Sequence, residues 1–230
     1  MKGLMPAEDG GWWLLIDKPS GRTSFGIVAV VRRITGIRKI GHAGALDPDA
    51  TGLLVLALGR ATKQLGKPLS GYKAYETTVQ LGLCSPTLDL DAPWTIEIEP
   101  PLFEEDDIRQ ALRRIREKGE QVPPMVSSLK REGRKLHELA RKGLWLAREP
   151  RPVEIERLDL LRYDTDTGEV ELAVAGGGGL YVRVIAEDLG GELGLPAALT
   201  RLRRTQVGDW SIEDATDLET AAREWPEGTA

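Results

Sequence analysis

The sequence predicts an α+β fold in which a mixed, largely antiparallel sheet is flanked by helices and loops. Strand-like segments are short and lie far apart along the chain, and helical segments occupy the intervals between them. The 230 residues contain no internal repeat of about 20–50 residues and no low-complexity linker. A chain of this length buries one sizeable core or at most two small ones. We therefore expect one domain across residues 1–230.

The first predicted elements are a strand and a helix. Residues 12–16 are a short apolar run that leads into a turn sequence, which indicates a buried strand. Apolar residues then recur at helical spacing, with Thr23 or Ser24 placed to cap the helix. Gly36 stands where a left-handed terminator belongs.

Two strands and a second helix are predicted next. Residues 53–58 form another apolar run, too short for most helices, which predicts a central strand. Apolar and polar side chains alternate over residues 75–81, and this places Tyr75 on the core-facing row. An amphipathic pattern over 104–118, with acidic residues in its first turn, predicts a helix that ends at Gly119.

The last third of the chain begins with a predicted hairpin made of residues 153–163 and 169–175. Residues 180–185 alternate like a strand, so that Tyr181 and Arg183 are expected on one face. Further helices are predicted at 187–193, 196–202 and 217–224.

Composition excludes several classes of protein. No apolar run reaches the roughly 18 residues of a membrane span. Residues 1–9 lack the apolar stretch of a secretory signal, so we expect a cytoplasmic protein. Cys84 is the only cysteine, which excludes an internal disulfide, and His42 and His137 are too few for a multi-histidine metal cage. Carboxylate-bound magnesium stays open.

Charge is segregated along the chain although the net charge is −5. Residues 20–75 hold nine basic and two acidic residues, and residues 113–152 hold twelve basic and five acidic ones. A single charged run is usually a solvated helix face. Two such blocks in an acidic chain fit a polyanionic partner as well as they fit a solvated surface.

Residues 41–52 concentrate residue types that are common in functional sites, namely three glycines, a histidine and two carboxylates. This stretch is predicted to be a loop, and its spacing is not that of a phosphate-binding loop. An aspartate before a proline, as in Asp47 and Pro48, is usually a turn former. Taken alone, neither Asp47 nor His42 identifies a catalyst.

In context, the stretch 41–52, together with 53–54 and 59–63, resembles the bacterial TruB family of tRNA pseudouridine-55 synthases. Five further blocks resemble the family in the family's order, and the similarity runs from about residue 12 to residue 210. These blocks are residues 17–24, 72–75, 124–130, 180–183 and 202–204. The resemblance implies a pseudouridine-synthase-type catalytic domain that isomerises uridine 55 in the T-loop of tRNA on a flipped-out base.

The resemblance implies catalytic roles for Asp47, Tyr75 and Arg183. Asp47 corresponds to the essential aspartate, which either attacks C1′ of the ribose or removes the 2′ proton, and the sequence leaves both routes open. Arg183 matches the arginine that pairs with this aspartate. Tyr75 matches the tyrosine that stacks on uracil and helps to remove the C5 proton. Neither a metal nor an organic cofactor is implied.

Substrate-binding residues are implied in the same way. Tyr181 and Leu202 match residues that close the pocket around the base, although plain packing remains an alternative for each. His42 is expected to press into the RNA loop, since the target base must leave its stack. Lys18 and Lys130 lie in family blocks and are expected to contact substrate. We expect a monomer that binds the T-stem-loop of tRNA.

The sequence also departs from the family pattern. Around residues 119–143 it carries the RNA-gripping insertion, but Val126 replaces the usual tyrosine, and Gly178, Gly179 and Leu180 replace Lys-Gly-Thr. The C-terminal RNA-binding (PUA-like) domain is expected to be absent or vestigial. These departures predict weaker RNA affinity with retained chemistry.

Two other functions stay open. A non-catalytic RNA-folding module would not need Asp47 and Arg183. A glycosidase also works at an anomeric carbon but needs a second positioned acid, for which Asp49 is a weak candidate.

Overall fold

The structure is a computed structural model that describes residues 1–8, 10–66, 68, 71–84, 96–125, 130–131, 134–135 and 146–226. It contains two compact units, of which the first comprises Met1–Glu76 with Leu202–Ala230 and the second Thr77–Arg201. The predicted α+β class is confirmed, with a mixed sheet and flanking helices. Within the described residues, no helix is long and apolar enough to cross a bilayer.

The strands of the described residues are β1 (Leu4–Pro6), β2 (Trp12–Lys18), β3 (Ile40–His42), β4 (Thr51–Leu58), β5 (Lys73–Leu81), β6 (Leu83–Cys84), β7 (Ile96–Glu97), β8 (Glu120–Gln121), β9 (Lys130–Arg131), β10 (Arg134–Lys135), β11 (Arg151–Pro152), β12 (Ile155–Asp164), β13 (Glu169–Gly176), β14 (Ala197–Val207) and β15 (Trp210–Ser211). The α-helices are α1 (Ser24–Thr35), α2 (Glu105–Lys118), α3 (Val182–Leu193) and α4 (Leu218–Glu224). Two 3₁₀ helices cover Gly59–Gln64 and Ile212–Asp214.

In the first unit, β2 lies between β1 and β4 and is antiparallel to both. The last residues of β14 run parallel to β4, which makes the sheet mixed. Both faces of β2 and β4 are covered, because Leu15 and Val55 belong to one apolar cluster while Ile16 and Leu54 belong to another. This explains why both strands are continuous apolar runs, and both strand predictions are confirmed.

Helix α1 begins and ends as predicted. The Thr23 hydroxyl accepts a hydrogen bond from the backbone N–H of Gly26, so Thr23 is the N-cap. Gly36 ends the helix with φ 71° and donates its N–H to the carbonyl of Arg32. Ile27, Val28 and Val31 are buried on the inner face of the helix.

In the second unit, the predicted hairpin is confirmed as the antiparallel pair β12 and β13. Residues 77–81 of β5 lie beside β13 and residues 197–201 of β14 lie beside β5. Helix α2 packs against β12 and α3 and buries its predicted apolar stripe. The stripe consists of Ile108, Ala111, Leu112 and Ile115.

Two predictions from the last third of the chain are wrong. Residues 196–202 were expected to be helical, but they enter strand β14, which is buried at Ala198, Leu199 and Leu202. Residues 180–185 were expected to be a strand, but helix α3 begins at Val182. Tyr181 is the N-cap of this helix, so Tyr181 and Arg183 do not share the face of a strand.

Candidate active site

Asp47 lies in an irregular loop between β3 and β4, and the loop is anchored on both sides of it. The hydroxyl of Ser24 accepts a hydrogen bond from the N–H of Leu46 at 2.9 Å and donates one to the Leu46 carbonyl at 3.1 Å. The ammonium of Lys18 donates to the carbonyl of Pro48 at 2.8 Å. The residues before and after Asp47 are therefore fixed, while Asp47 itself is only half-buried.

Lys18 is fully buried at the end of β2. Besides Pro48, its ammonium donates to the carbonyls of Pro19 at 2.8 Å and Arg22 at 2.7 Å. Burial lowers the pKa of Lys18 to about 8, against the opposing effect of Asp49 and Asp47. The group is thus mostly charged at pH 7 and uses its three N–H bonds inside the protein. This geometry makes Lys18 an anchor of the Asp47 loop, and its contact with substrate stays a prediction.

Arg204, on β14, is a third anchor and is 1% exposed. Its guanidinium donates to the carbonyl of Leu53 at 2.8 Å and to that of Gly44 at 3.0 Å. Burial lowers the pKa of Arg204, while a hydrogen bond with the Tyr75 side chain raises it. Tyr75 is half-buried on β5. Its hydrogen bond with Arg204 holds the ring through the hydroxyl group.

Gly52 shows why β14 can approach the loop so closely. Its φ is +100°, and a side chain there would place its Cβ 2.2 Å from the carbonyl oxygen of Arg204. The next contact along the strand is a hydrogen bond of 3.4 Å from the Thr51 hydroxyl to the carbonyl of Leu202. The Leu202 side chain is 7% exposed. The neighbouring Arg203 forms a bidentate ion pair with the two carboxylate oxygens of Asp17, at 3.0 and 2.8 Å.

His42 ends β3 and is half-buried. Burial lowers its pKa, and the charge of Arg204 lowers it further, so the imidazole is neutral at pH 7. Its Nδ1 atom is buried and has no hydrogen-bond partner in the part of the chain that the structure describes.

In the second unit, Tyr181 and Arg183 lie at the start of α3. The amide of Gln121 donates to the Tyr181 carbonyl at 3.1 Å and accepts from the Tyr181 N–H at 3.0 Å. Gln121 is 2% exposed and Arg183 is 9% exposed. The two hydrogen bonds fix the helix turn from which Arg183 projects.

The structure thus brings five of the predicted site residues into the first unit and places two in the second. Those of the first unit are Asp47, Tyr75, His42, Lys18 and Leu202. Those of the second are Tyr181 and Arg183. The side chain of Lys130 lies outside the described residues, as do Val126 and much of the segment 119–143. Among the described residues, no group of three or more His, Cys, Asp or Glu is placed to hold a metal ion.

Sequence reasoning assigned no role to Ser24 as a loop anchor, to Gln121 or to Arg204. Arg204 and Ser24 lie inside family blocks, which is the signal that could have singled them out. Gln121 lies just before such a block, next to residues 124–130.

Comparison with known proteins completes this description of the site. Residues 32–182 match the family described as TruB family pseudouridylate synthase (N terminal domain). The chain belongs to the TruB family. The matched residues include Asp47 and the loop that carries it.

Individual TruB relatives agree with this. The chain is 45% identical over 205 residues to tRNA pseudouridine synthase B of Aromatoleum aromaticum, covering 89% of this chain and 66% of the relative. It is 43% identical over 217 residues to the protein of the same name from Stutzerimonas stutzeri, covering 94% and 70%. The crystal structure of a Cbf5-Nop10-Gar1 complex contains a chain with 26% identity and a TM-score of 0.71, covering 93% of this chain and 54% of that one. The chain therefore spans about two thirds of its curated relatives and about half of this solved one.

Proposed function

We propose that this TruB family chain is a tRNA pseudouridine synthase that isomerises uridine 55 in the T-loop. The observation that carries the proposal is Asp47, a half-exposed carboxylate in the family motif, held between the anchored residues Leu46 and Pro48. A carboxylate on a loop held in this way can approach a sugar carbon from one fixed direction. Such positioning of reacting groups lowers the barrier to reaction.

The chemistry balances without a cofactor. The N1–C1′ bond breaks, the uracil turns, and C5 bonds to C1′. The C5 proton is lost to a base, and N1 gains a proton, so the product is an isomer of the substrate. Asp47 serves either as the nucleophile at C1′, released when C5 attacks, or as the base that takes the 2′ proton on a glycal route and returns it to C2′ when C5 bonds to C1′.

Arg183 and Tyr75 complete the catalytic group. We assign to the Arg183 guanidinium the pairing with Asp47, which keeps the carboxylate ionised and fixes its direction. Tyr75 stacks on the uracil and assists removal of the C5 proton. The hydrogen bond between Tyr75 and Arg204 supports this assignment, because it restricts the orientation of the ring.

The remaining predicted residues bind the RNA. Tyr181 and Leu202 close the pocket over the base, and His42 enters the space that the base leaves. Lys130 and the basic segment around it grip phosphates. The protein acts on tRNA as a monomer in the cytoplasm.

The test is incubation with an unmodified tRNA transcript, followed by chemical mapping of pseudouridine at every uridine. We expect modification at position 55, and a loss of at least about a thousand-fold in rate for Asp47→Asn. Asp49→Asn is the matched control, because Asp49 is also half-buried, lies two residues away and accepts a hydrogen bond from Ser20. It should retain at least about a tenth of the activity.

Other outcomes reject specific parts of the proposal. Normal turnover by Asp47→Asn would remove Asp47 from the reaction. Modification at another uridine would change the substrate, and tight tRNA binding without any pseudouridine would favour the RNA-folding alternative.

A further inference from the structure

Phe25 is a large aromatic residue that the fold leaves 73% exposed. It lies in the first turn of α1, directly after Ser24, whose hydroxyl anchors Leu46 beside Asp47. Its ring contacts His42 edge to face, with the centroids 5.9 Å apart. An exposed phenylalanine gains little from the protein core, and this ring is accessible to a partner that approaches the Asp47 loop.

Basic residues are concentrated in the chain segment that carries Phe25. From Ser20 to Leu46 the sequence contains five basic residues and no acidic one. The basic residues, all exposed, are Arg22, Arg32, Arg33, Arg38 and Lys39. Helical spacing places Phe25, Ala29 and Arg32 on one face of α1. An exposed aromatic ring on a basic segment matches a single-stranded nucleic acid, which presents flat bases and phosphates together.

His42 contributes a second ring. Its imidazole is neutral, because burial and Arg204 both lower its pKa. It therefore adds to the apolar surface of Phe25 and carries no positive charge. Phe25 lies in the first turn of α1, and His42 lies at the end of β3, directly before the Asp47 loop.

We propose that Phe25 is a stacking platform for an unpaired base of the RNA loop that carries the target uridine. This inference rests on the proposed function and extends it, because it adds Phe25 to His42 as the surface that keeps the loop open. RNA loops are recognised largely by stacking their unstacked bases on aromatic side chains. Such stacking tolerates any base, so Phe25 contributes affinity for an open loop and little sequence specificity.

The test uses a synthetic T-stem-loop RNA and three variants. Phe25→Ala should raise the Kd and the KM by on the order of ten-fold. The kcat should change by less than about two-fold, because Phe25 does not touch the reacting atoms. Phe25→Trp should bind like the parent protein, and its fluorescence should be quenched when the RNA is added. Leu102→Ala is the control, since Leu102 is also a large apolar side chain and is 82% exposed.

A direct readout of stacking comes from 2-aminopurine placed at single loop positions of the RNA. At one position its fluorescence should fall on binding to the parent protein, and this fall should be lost with Phe25→Ala. Binding experiments use the Asp47→Asn background so that no turnover occurs.

The two proposals fail in different ways. If the parent protein forms no pseudouridine in any tRNA, the proposed function fails. If the parent protein is active and Phe25→Ala keeps its Kd, KM and 2-aminopurine quench, only the stacking platform is wrong. A parent protein that self-associates through Phe25, shown by dimers that Phe25→Ala abolishes without changing RNA affinity, also overturns it.

Discussion

Gln121 holds the backbone of Tyr181 by two hydrogen bonds, one donated and one accepted. Both partners lie in the second unit, and the Gln121 side chain is buried. A side-chain amide is the group that can both donate to a carbonyl and accept from an N–H at one site. Gln121 therefore sets the position of the turn that carries Tyr181 and Arg183.

Gln121→Met is expected to lower kcat by about ten- to a hundred-fold with little change in KM. The variant keeps the volume but removes both hydrogen bonds to the Tyr181 backbone, which costs about 1–3 kcal/mol of unfolding free energy and lets the turn shift. Ile115→Val is the control, because it destabilises the same unit by about 1 kcal/mol from inside α2. If both variants lose stability and neither loses kcat, Gln121 is only structural. Steady-state kinetics and urea unfolding measure the two effects.

Ser24→Ala should reduce kcat by on the order of ten-fold, because both hydrogen bonds to Leu46 disappear beside Asp47. Thr23→Ala removes the N-cap of the same helix and costs about 1 kcal/mol of stability. It leaves Leu46 untouched, so its kcat should stay near that of the parent protein. Equal kcat values for the two variants would contradict the anchoring role of Ser24.

Lys18→Met and Lys18→Arg should both lower kcat/KM by about ten- to a hundred-fold on a T-stem-loop. The methionine variant leaves three carbonyls without their donor, including that of Pro48. The arginine variant keeps the charge, but its planar fork cannot converge on three carbonyls from one point. Near-parental activity of Lys18→Arg would show that charge, and not geometry, is what Lys18 supplies.

Asp188, on α3, should make the protein less stable as the pH rises from about 4 through 6. Burial raises the pKa of Asp188 to about 6, with Glu187 and Glu192 adding to the effect and Lys118 opposing it. Between these pH values the folded state binds more protons than the unfolded state. The free energy of unfolding therefore falls as the pH rises and Asp188 ionises. Because the side chain is half-exposed, the cost after solvent screening is about 1 kcal/mol.

Asp188→Asn should accordingly raise the unfolding free energy by about 1 kcal/mol at pH 7.5 and by nothing at pH 4. Asp166→Asn makes the same charge change on an exposed turn and should have an effect below about 0.5 kcal/mol at both pH values. Urea unfolding at the two pH values measures both. A gain for Asp188→Asn that is equal at pH 4 and pH 7.5 would contradict the raised pKa.

Local patterns predicted the elements whose burial follows a simple rule. The apolar runs that became β2 and β4, the capped helix α1 and the hairpin of β12 and β13 were all identified from sequence. The two wrong predictions are segments whose pattern fits either class. Residues 196–202 form a short segment with two adjacent alanines, which fits a helix as well as a strand. Over residues 180–185 two kinds of side chain alternate as in a strand, yet α3 buries Val182, Ile185 and Leu189 at helical spacing.

The family motifs pointed to the side chains expected to touch substrate, but not to those that hold the site in place. Ser24 and Leu46 are 22 residues apart, Gln121 and Tyr181 are 60 apart, and Arg204 and Gly44 are 160 apart. No periodicity or short spacing in the sequence signals any of these hydrogen bonds. They become visible only when the fold brings distant segments together.

The 160-residue separation between Gly44 and Arg204 also bears on synthesis of the protein. A ribosome makes the Asp47 segment long before it makes β14, which supplies the guanidinium that binds the carbonyl of Gly44. Until Arg204 has left the ribosome, the carbonyls of Gly44 and Leu53 have no such donor. We therefore expect the loop around Asp47 to reach its final conformation only after β14 has been synthesised and has joined the sheet.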